Sequence, residues 1–202
     1  MNKIITISRE CGTGGHIIGE KLAKKLGVDF YDREIIEQTA KKSGFTNDFV
    51  EEQGDRITNS ILFNIANSLT YANQVFAGNG VSLADKVFFV QCDVIKELAA
   101  KGPCVFVGRC ADYVLKDRED CINVFVHGKK EDKIKHYMET NQCSAKEAES
   151  AIKKRDKSRA NFYRYYTDSE WGVVGNYDIT LDSASIGIDK CVDILYNICV
   201  GK

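Results

Sequence analysis

Arg9-Glu10-Cys11-Gly12-Thr13-Gly14-Gly15-His16 is the segment whose residue types and spacing could do chemistry. Glycines at 12, 14 and 15 let backbone N–H groups crowd around one anion. An apolar, β-branched run precedes them over Lys3–Ser8, and an amphipathic run over Ile17–Leu26 follows, closed by Gly27. Strand, glycine turn and helix N-terminus together make a phosphate cradle, because the helix dipole favours negative charge there. The regular phosphate-loop pattern GxxxxGK[ST] would place a lysine and then a hydroxyl after the glycines. Here Gly15 and His16 stand in those places. The cradle is present without its usual cation and its usual magnesium-binding hydroxyl.

Cations must then come from elsewhere. Arg9, directly after the first strand, is either the replacement for the lysine or a surface arginine paired with Glu10. His16 touches phosphate or caps the helix; an imidazole suits magnesium poorly, since that ion prefers oxygen. Tyr31-Asp32-Arg33 follows the second strand. Asp32 reads as a base, a group in magnesium's outer shell, or the N-cap of a helix starting at Glu34; Arg33 is a candidate for an acceptor phosphate. Val105-Phe106-Val107-Gly108-Arg109 is an apolar strand ending in a charge, so Arg109 is a ligand contact or the partner of Asp112. Arg155 and Arg159 lie four apart on one helix face. That pair either closes over a polyphosphate, neutralising charge on a transferred phosphoryl group, or forms a solvated basic face. Phe162, Tyr163, Tyr165 and Tyr166 are expected to pack that helix onto the core, and Trp171 to pack rather than to serve as a base platform.

The elements that must position these residues alternate. Strands are expected at 3–8, 28–31, 104–108, 121–127 and 177–181, short and apolar as buried parallel strands are. Helical patterns cover 34–43, 56–75, 83–101 and 129–140, a long helix opened by the capping box Ser144-Ala145-Lys146-Glu147 and running to about 166, and a last helix at 186–200. This order predicts an α/β sandwich around a parallel sheet. The long helical stretch between strands two and three reads as an insertion at the carboxyl edge of the sheet, where ligands bind.

The 202 residues suffice for one domain. A net charge of −1 argues against a dedicated nucleic-acid binder. No apolar run reaches membrane-span length, and strand one begins at once, so a cytoplasmic protein without a signal peptide is expected. Eight cysteines show no C-x-x-C spacing and no zinc-ligand pattern, so free thiols are expected. Cys11, in the loop, is a filler or a thiol of lowered pKa.

Read in order, these segments resemble the cytidylate kinase-like group of P-loop nucleoside monophosphate kinases. The resemblance is carried by Ile5-Thr6-Ile7-Ser8-Arg9-Glu10 with Gly12-Thr13-Gly14-Gly15, by Phe30-Tyr31-Asp32-Arg33-Glu34, by Val107-Gly108-Arg109, by Ile152–Arg159 and by Asn176–Leu181, across essentially the whole chain. It implies a P-loop NTPase-like three-layer sandwich with a five-stranded parallel sheet. A helical acceptor-binding insertion at about 38–100 and a lid at about 143–175 come with it. It further implies transfer of the γ-phosphoryl group of ATP, with Mg2+, to a nucleoside monophosphate, CMP or dCMP foremost. Gly12, Thr13, Gly14, Gly15 and His16 would cradle the donor phosphates, with Arg9, Arg155 and Arg159 as catalytic cations. Asp32, Arg33 and Arg109 would hold the acceptor. Nucleotides are the expected partners, with neither a nucleic acid polymer nor a membrane. A kinase for another small acceptor and a nucleotide-binding regulatory protein without transfer are the alternatives.

Overall fold

The computed structural model describes residues 3–55 and 82–201; the helix expected at 56–75 lies outside them. Five strands form one parallel sheet: β1 (Ile4–Arg9), β2 (Asp29–Tyr31), β3 (Cys104–Val107), β4 (Cys121–His127) and β5 (Ile179–Asp182). Their spatial order is β2-β3-β1-β4-β5. The central strand pairs on both sides, Ile5 with Val105 of β3 and with Ile122 of β4. The expected strands are all present, that at 121–127 with the expected bounds and no end elsewhere shifted by more than two residues.

Period-two alternation decides the layers. Ile5, Ile7, Val105, Val107, Val124 and Val126 face one side. There α1 (Gly15–Leu26) covers them with Ile18 and Leu22, and the C-terminal helix (Ile188–Val200) with Val192 and Leu195. Ile4, Cys104 and Phe106 face the other side. They meet Ile35 of α2 (Arg33–Ser43) and Val94, Ile95 and Leu98 of the helix Leu83–Ala99, which follows α3 (Asn47–Asp55) and is α4 here. Every parallel connection must cross over the sheet, so all five strands end on the same edge. Arg9, Tyr31, Val107, His127 and Asp182 are those ends.

Among the described residues, four elements escape the sequence pattern: α3, the one-turn helices α5 (Ala111–Val114) and α8 (Ser183–Ile186), and a short 3-10 turn at Val174–Asn176. They are too short for a periodic apolar stripe; α5 follows a turn and α8 is started by the Asp182 carboxylate, which accepts from the N–H groups of Ala184 and Ser185. Between them run α6 (Lys130–Asn141) and α7 (Ala145–Thr167), the latter opened by the expected Ser144/Glu147 capping box; the C-terminal helix is α9. Among the described residues, no helix is long and apolar enough to cross a membrane.

Candidate active site

β1 delivers the glycine loop to the carboxyl edge of the sheet, and the loop's tightness has local causes. Gly12 and Gly14 adopt φ of 84° and 71°, conformations that side chains disfavour. A Cβ at Gly12 would also stand 2.6 Å from the Lys133 carbonyl oxygen, and one at Gly14 2.7 Å from Ile188 Cδ1. The Ser183 hydroxyl of α8 donates to the Thr13 carbonyl at 2.7 Å, and Thr13 Oγ1 donates to the Glu10 carbonyl at 2.8 Å. Helices α6, α8 and α9 thus brace the loop from outside.

Gly15, at the position of the usual lysine, could carry no side chain here. A Cβ there would lie 2.6 Å from Arg9 Cβ and 2.8 Å from Arg9 Cγ. At the other end of the same arginine, a Cβ at Gly108 would fall on Arg9 Nη1. The Arg9 side chain therefore runs in a slot made by two glycines, its stem on the loop and its guanidinium at the end of β3. Glu10, the surface partner weighed for it, binds Lys133 Nζ at 3.0 Å and accepts the Gly128 N–H at 3.1 Å.

Arg109 is presented by an unusual backbone. Gly108, Arg109 and Cys110 have consecutive φ values of 72°, 61° and 52°. Left-handed non-glycine residues cost on the order of 1 kcal/mol each, and persist where the surroundings over-determine them. Gln91 of α4 helps by donating to the Arg109 carbonyl at 3.2 Å. Arg109 Nη1 is buried with no hydrogen-bond partner among the described residues, which is rare for a charged donor. The pairing with Asp112, the other option for Arg109, is not made among the described residues. The Asp112 carboxylate instead accepts the Tyr163 hydroxyl of α7 at 2.8 Å, and burial raises its pKa above the ordinary carboxyl value.

Asp32 does not cap α2. The helix begins at Arg33 and the Asp32 side chain makes no cap bond. It reaches His16 instead, Oδ2 lying 2.7 Å from Nδ1. The His16 ring also stands edge-on to Phe30, centroids 5.4 Å apart at 76°. His16 is the second residue of α1 and supplies no cap either; Gly14 is the N-cap. Arg33 is mostly exposed and 3.5 Å from Glu37.

From α7, Arg159 Nη1 donates to the Arg9 carbonyl at 3.1 Å, and Arg155 lies over the Tyr137 ring, 5.8 Å from its centroid. Between them Asp156, a residue given no role from sequence, accepts the Cys11 N–H at 2.7 Å and sits 3.5 Å from Lys133 Nζ. Burial raises the pKa of Asp156 and that of the Cys11 thiol, so Cys11 is a buried filler and not an activated thiol. All eight cysteines are free. Phe162 and Tyr163 are buried as expected, whereas Tyr165 is 63% exposed. Trp171 packs edge-on against Phe125 at 5.3 Å.

A cavity of about 430 Å³ collects the outcome. Arg9, Arg33, Arg109, Arg155 and Arg159 line it together with His16 and Asp32. Seven of the expected site residues thus meet around one space, while Gly12, Thr13, Gly14 and Gly15 do not line it. The sequence pattern assigns no role to Lys133, Asp156 or Gln91. Asp156, a lone acid among basic residues on a helix, was the single visible sign; Lys133 sits in an evenly charged helix and offers none. Five guanidinium groups against the carboxylates of Asp32 and Glu51 make the space fit for polyanions. No group of three or more His, Cys, Asp or Glu side chains among the described residues could hold a metal.

A family model, described as the cytidylate kinase-like family, matches residues 4–185. No curated protein matches the sequence significantly. Among solved structures, an uncharacterized protein from Eubacterium ventriosum is 25% identical, with a TM-score of 0.72 and 99% of each chain covered. Shikimate kinase from Bacteroides thetaiotaomicron superposes with a TM-score of 0.54 at 14% identity over 98% of each chain. A gluconokinase from Sinorhizobium meliloti gives 0.52 at 12% identity, over 99% of this chain and 95% of its own. The likeness to these two kinases is one of fold, a P-loop NTPase-like α/β architecture consistent with the parallel β2-β3-β1-β4-β5 sheet.

Proposed function

We propose that this chain, which belongs to the cytidylate kinase-like family, transfers the γ-phosphoryl group of ATP to a small anionic acceptor in the arginine-lined cavity. The observation that carries the reading is the course of Arg9. Its stem fills the space that a lysine at position 15 would need, and its guanidinium enters the cavity. A cation thus meets the charge that a transferred phosphoryl group spreads over its oxygens. Gly12 to Gly15 bind the donor phosphates from outside the cavity, and Arg155 and Arg159 approach from α7. Arg109, with its buried unpartnered Nη1, and Arg33 hold the acceptor's anionic group. Catalysis is positioning and charge neutralisation. The described residues do not build a cage for magnesium; the ion enters with ATP as part of the substrate.

Acceptors divide into nucleoside monophosphates, CMP and dCMP first, and small hydroxy acids. The test supplies purified protein with Mg-ATP and, separately, CMP, dCMP, shikimate and gluconate, and follows ADP release. Turnover with one of them is expected. A second reading, a regulatory nucleotide binder, draws on the absence of any lysine at position 15; nucleotide binding without turnover would select it.

A further inference from the structure

The geometry points to His16 and Asp32 as a general-base pair, and therefore to a hydroxyl group as the atom that accepts the phosphoryl group. This rests on the kinase reading and narrows it. An ionised carboxylate only accepts hydrogen bonds. With Asp32 Oδ2 at 2.7 Å, the hydrogen of the neutral imidazole must sit on Nδ1. Nε2 is then left with its lone pair, and no described residue donates to it. The ring is held from two sides, by Asp32 and by the T-shaped contact with Phe30.

Asp32 gives up a local role to do this. It occupies the N-cap of α2, where an aspartate ordinarily accepts a backbone N–H, yet it makes no cap bond. Both residues line the cavity with Arg9, Arg109 and Arg159. A nucleoside monophosphate offers an already ionised oxygen and needs no base. An alcohol does, and the arginines ask that it also carry a carboxylate or phosphate. In the step, the acceptor oxygen forms a bond to the γ-phosphorus as Nε2 takes its proton. The bond from that phosphorus to the β–γ bridging oxygen breaks, ADP leaves with the electron pair, and the imidazolium returns its proton to water. His16 is the catalytic residue and Asp32 a positioning residue.

The test compares wild type with His16→Gln and Asp32→Asn. Mg-ATP is supplied with shikimate, with gluconate, with CMP or with no acceptor but water; melting curves verify that both variants fold. Transfer to a hydroxyl compound, or to water as the smallest hydroxyl acceptor, is expected in wild type. Both substitutions should lower kcat roughly 100-fold or more, and Asp32→Asn should leave the acceptor KM within a few-fold. Folded variants that keep the wild-type rate overturn the pair as base. Wild-type turnover of CMP with every hydroxyl compound and water inert overturns it too, and leaves the kinase reading standing. Failure of wild type to bind ATP removes both.

Discussion

At the scale of single residues, the proposed function gives two arginines separable roles. On that reading Arg9, which lines the cavity, faces the transferred group, so Arg9→Ala should lower kcat far more than it weakens ATP binding, because the transition state holds the charge that matters. Gly108→Ala leaves Arg9 in place chemically but puts a methyl group where its guanidinium lies; it should reproduce most of that loss. Steady-state rates beside ATP titrations decide it, and an Arg9→Ala protein with undiminished kcat would remove the assignment. Arg109 already has a buried donor with no partner. Arg109→Ala should weaken acceptor binding by about 1.5–3 kcal/mol, the range for a charged hydrogen bond, while ATP affinity stays within a few-fold. Equal losses for both substrates, measured by calorimetry, would mark it as structural.

At the scale of elements, α7 is the part that ties the site together. Its C-terminal half is anchored to α4 by the Phe88–Tyr166 stack, centroids 3.8 Å apart, and by Phe162. Its middle reaches the loop through Asp156 and Arg159. A third tie, Tyr163 to Asp112 of α5, buries a carboxylate and sets a pH dependence. Folding raises the Asp112 pKa above 3.8, so the folded protein holds that proton to higher pH than the unfolded chain. Its contribution to stability therefore declines as pH climbs from the ordinary carboxyl value through the raised one, and stays at a constant penalty above it. Asp112→Asn keeps an acceptor for the Tyr163 hydroxyl and removes the charge. The variant should melt higher than wild type near neutrality, with an advantage that shrinks on acidification through that window. Melting curves across pH check it; a lower melting temperature at neutral pH would mean that a cation stabilises the carboxylate.

For the whole molecule, the proposed function makes loop, cavity and sheet edge one binding unit. A ligand that binds only the folded form stabilises by mass action. ATP at about 100 times its dissociation constant should add about 2.7 kcal/mol, raising the melting temperature of a domain this size by roughly 5–10 °C. Scanning fluorimetry measures this, and an unmoved transition at saturating ATP would mean that the cradle takes no nucleotide.

Local rules made the frame readable from the chain. Short β-branched runs alternating with amphipathic ones dictate a parallel sheet under helices, and parallel connections oblige every strand to end on one edge, which is where Arg9, Asp32 and Arg109 had to lie. The capping box at Ser144 is likewise a rule of four consecutive residues. What only the tertiary structure decided are pairings across long stretches of chain: Arg9 between Gly15 and Gly108, Asp32 with His16, Asp112 with Tyr163, Asp156 with the Cys11 N–H. In each, a side chain had more than one local option. Asp32 could have capped its own helix and Arg9 could have turned to Glu10. Neighbours brought close by the fold settled the competition, because a buried or half-buried charge takes the partner that packing places within reach.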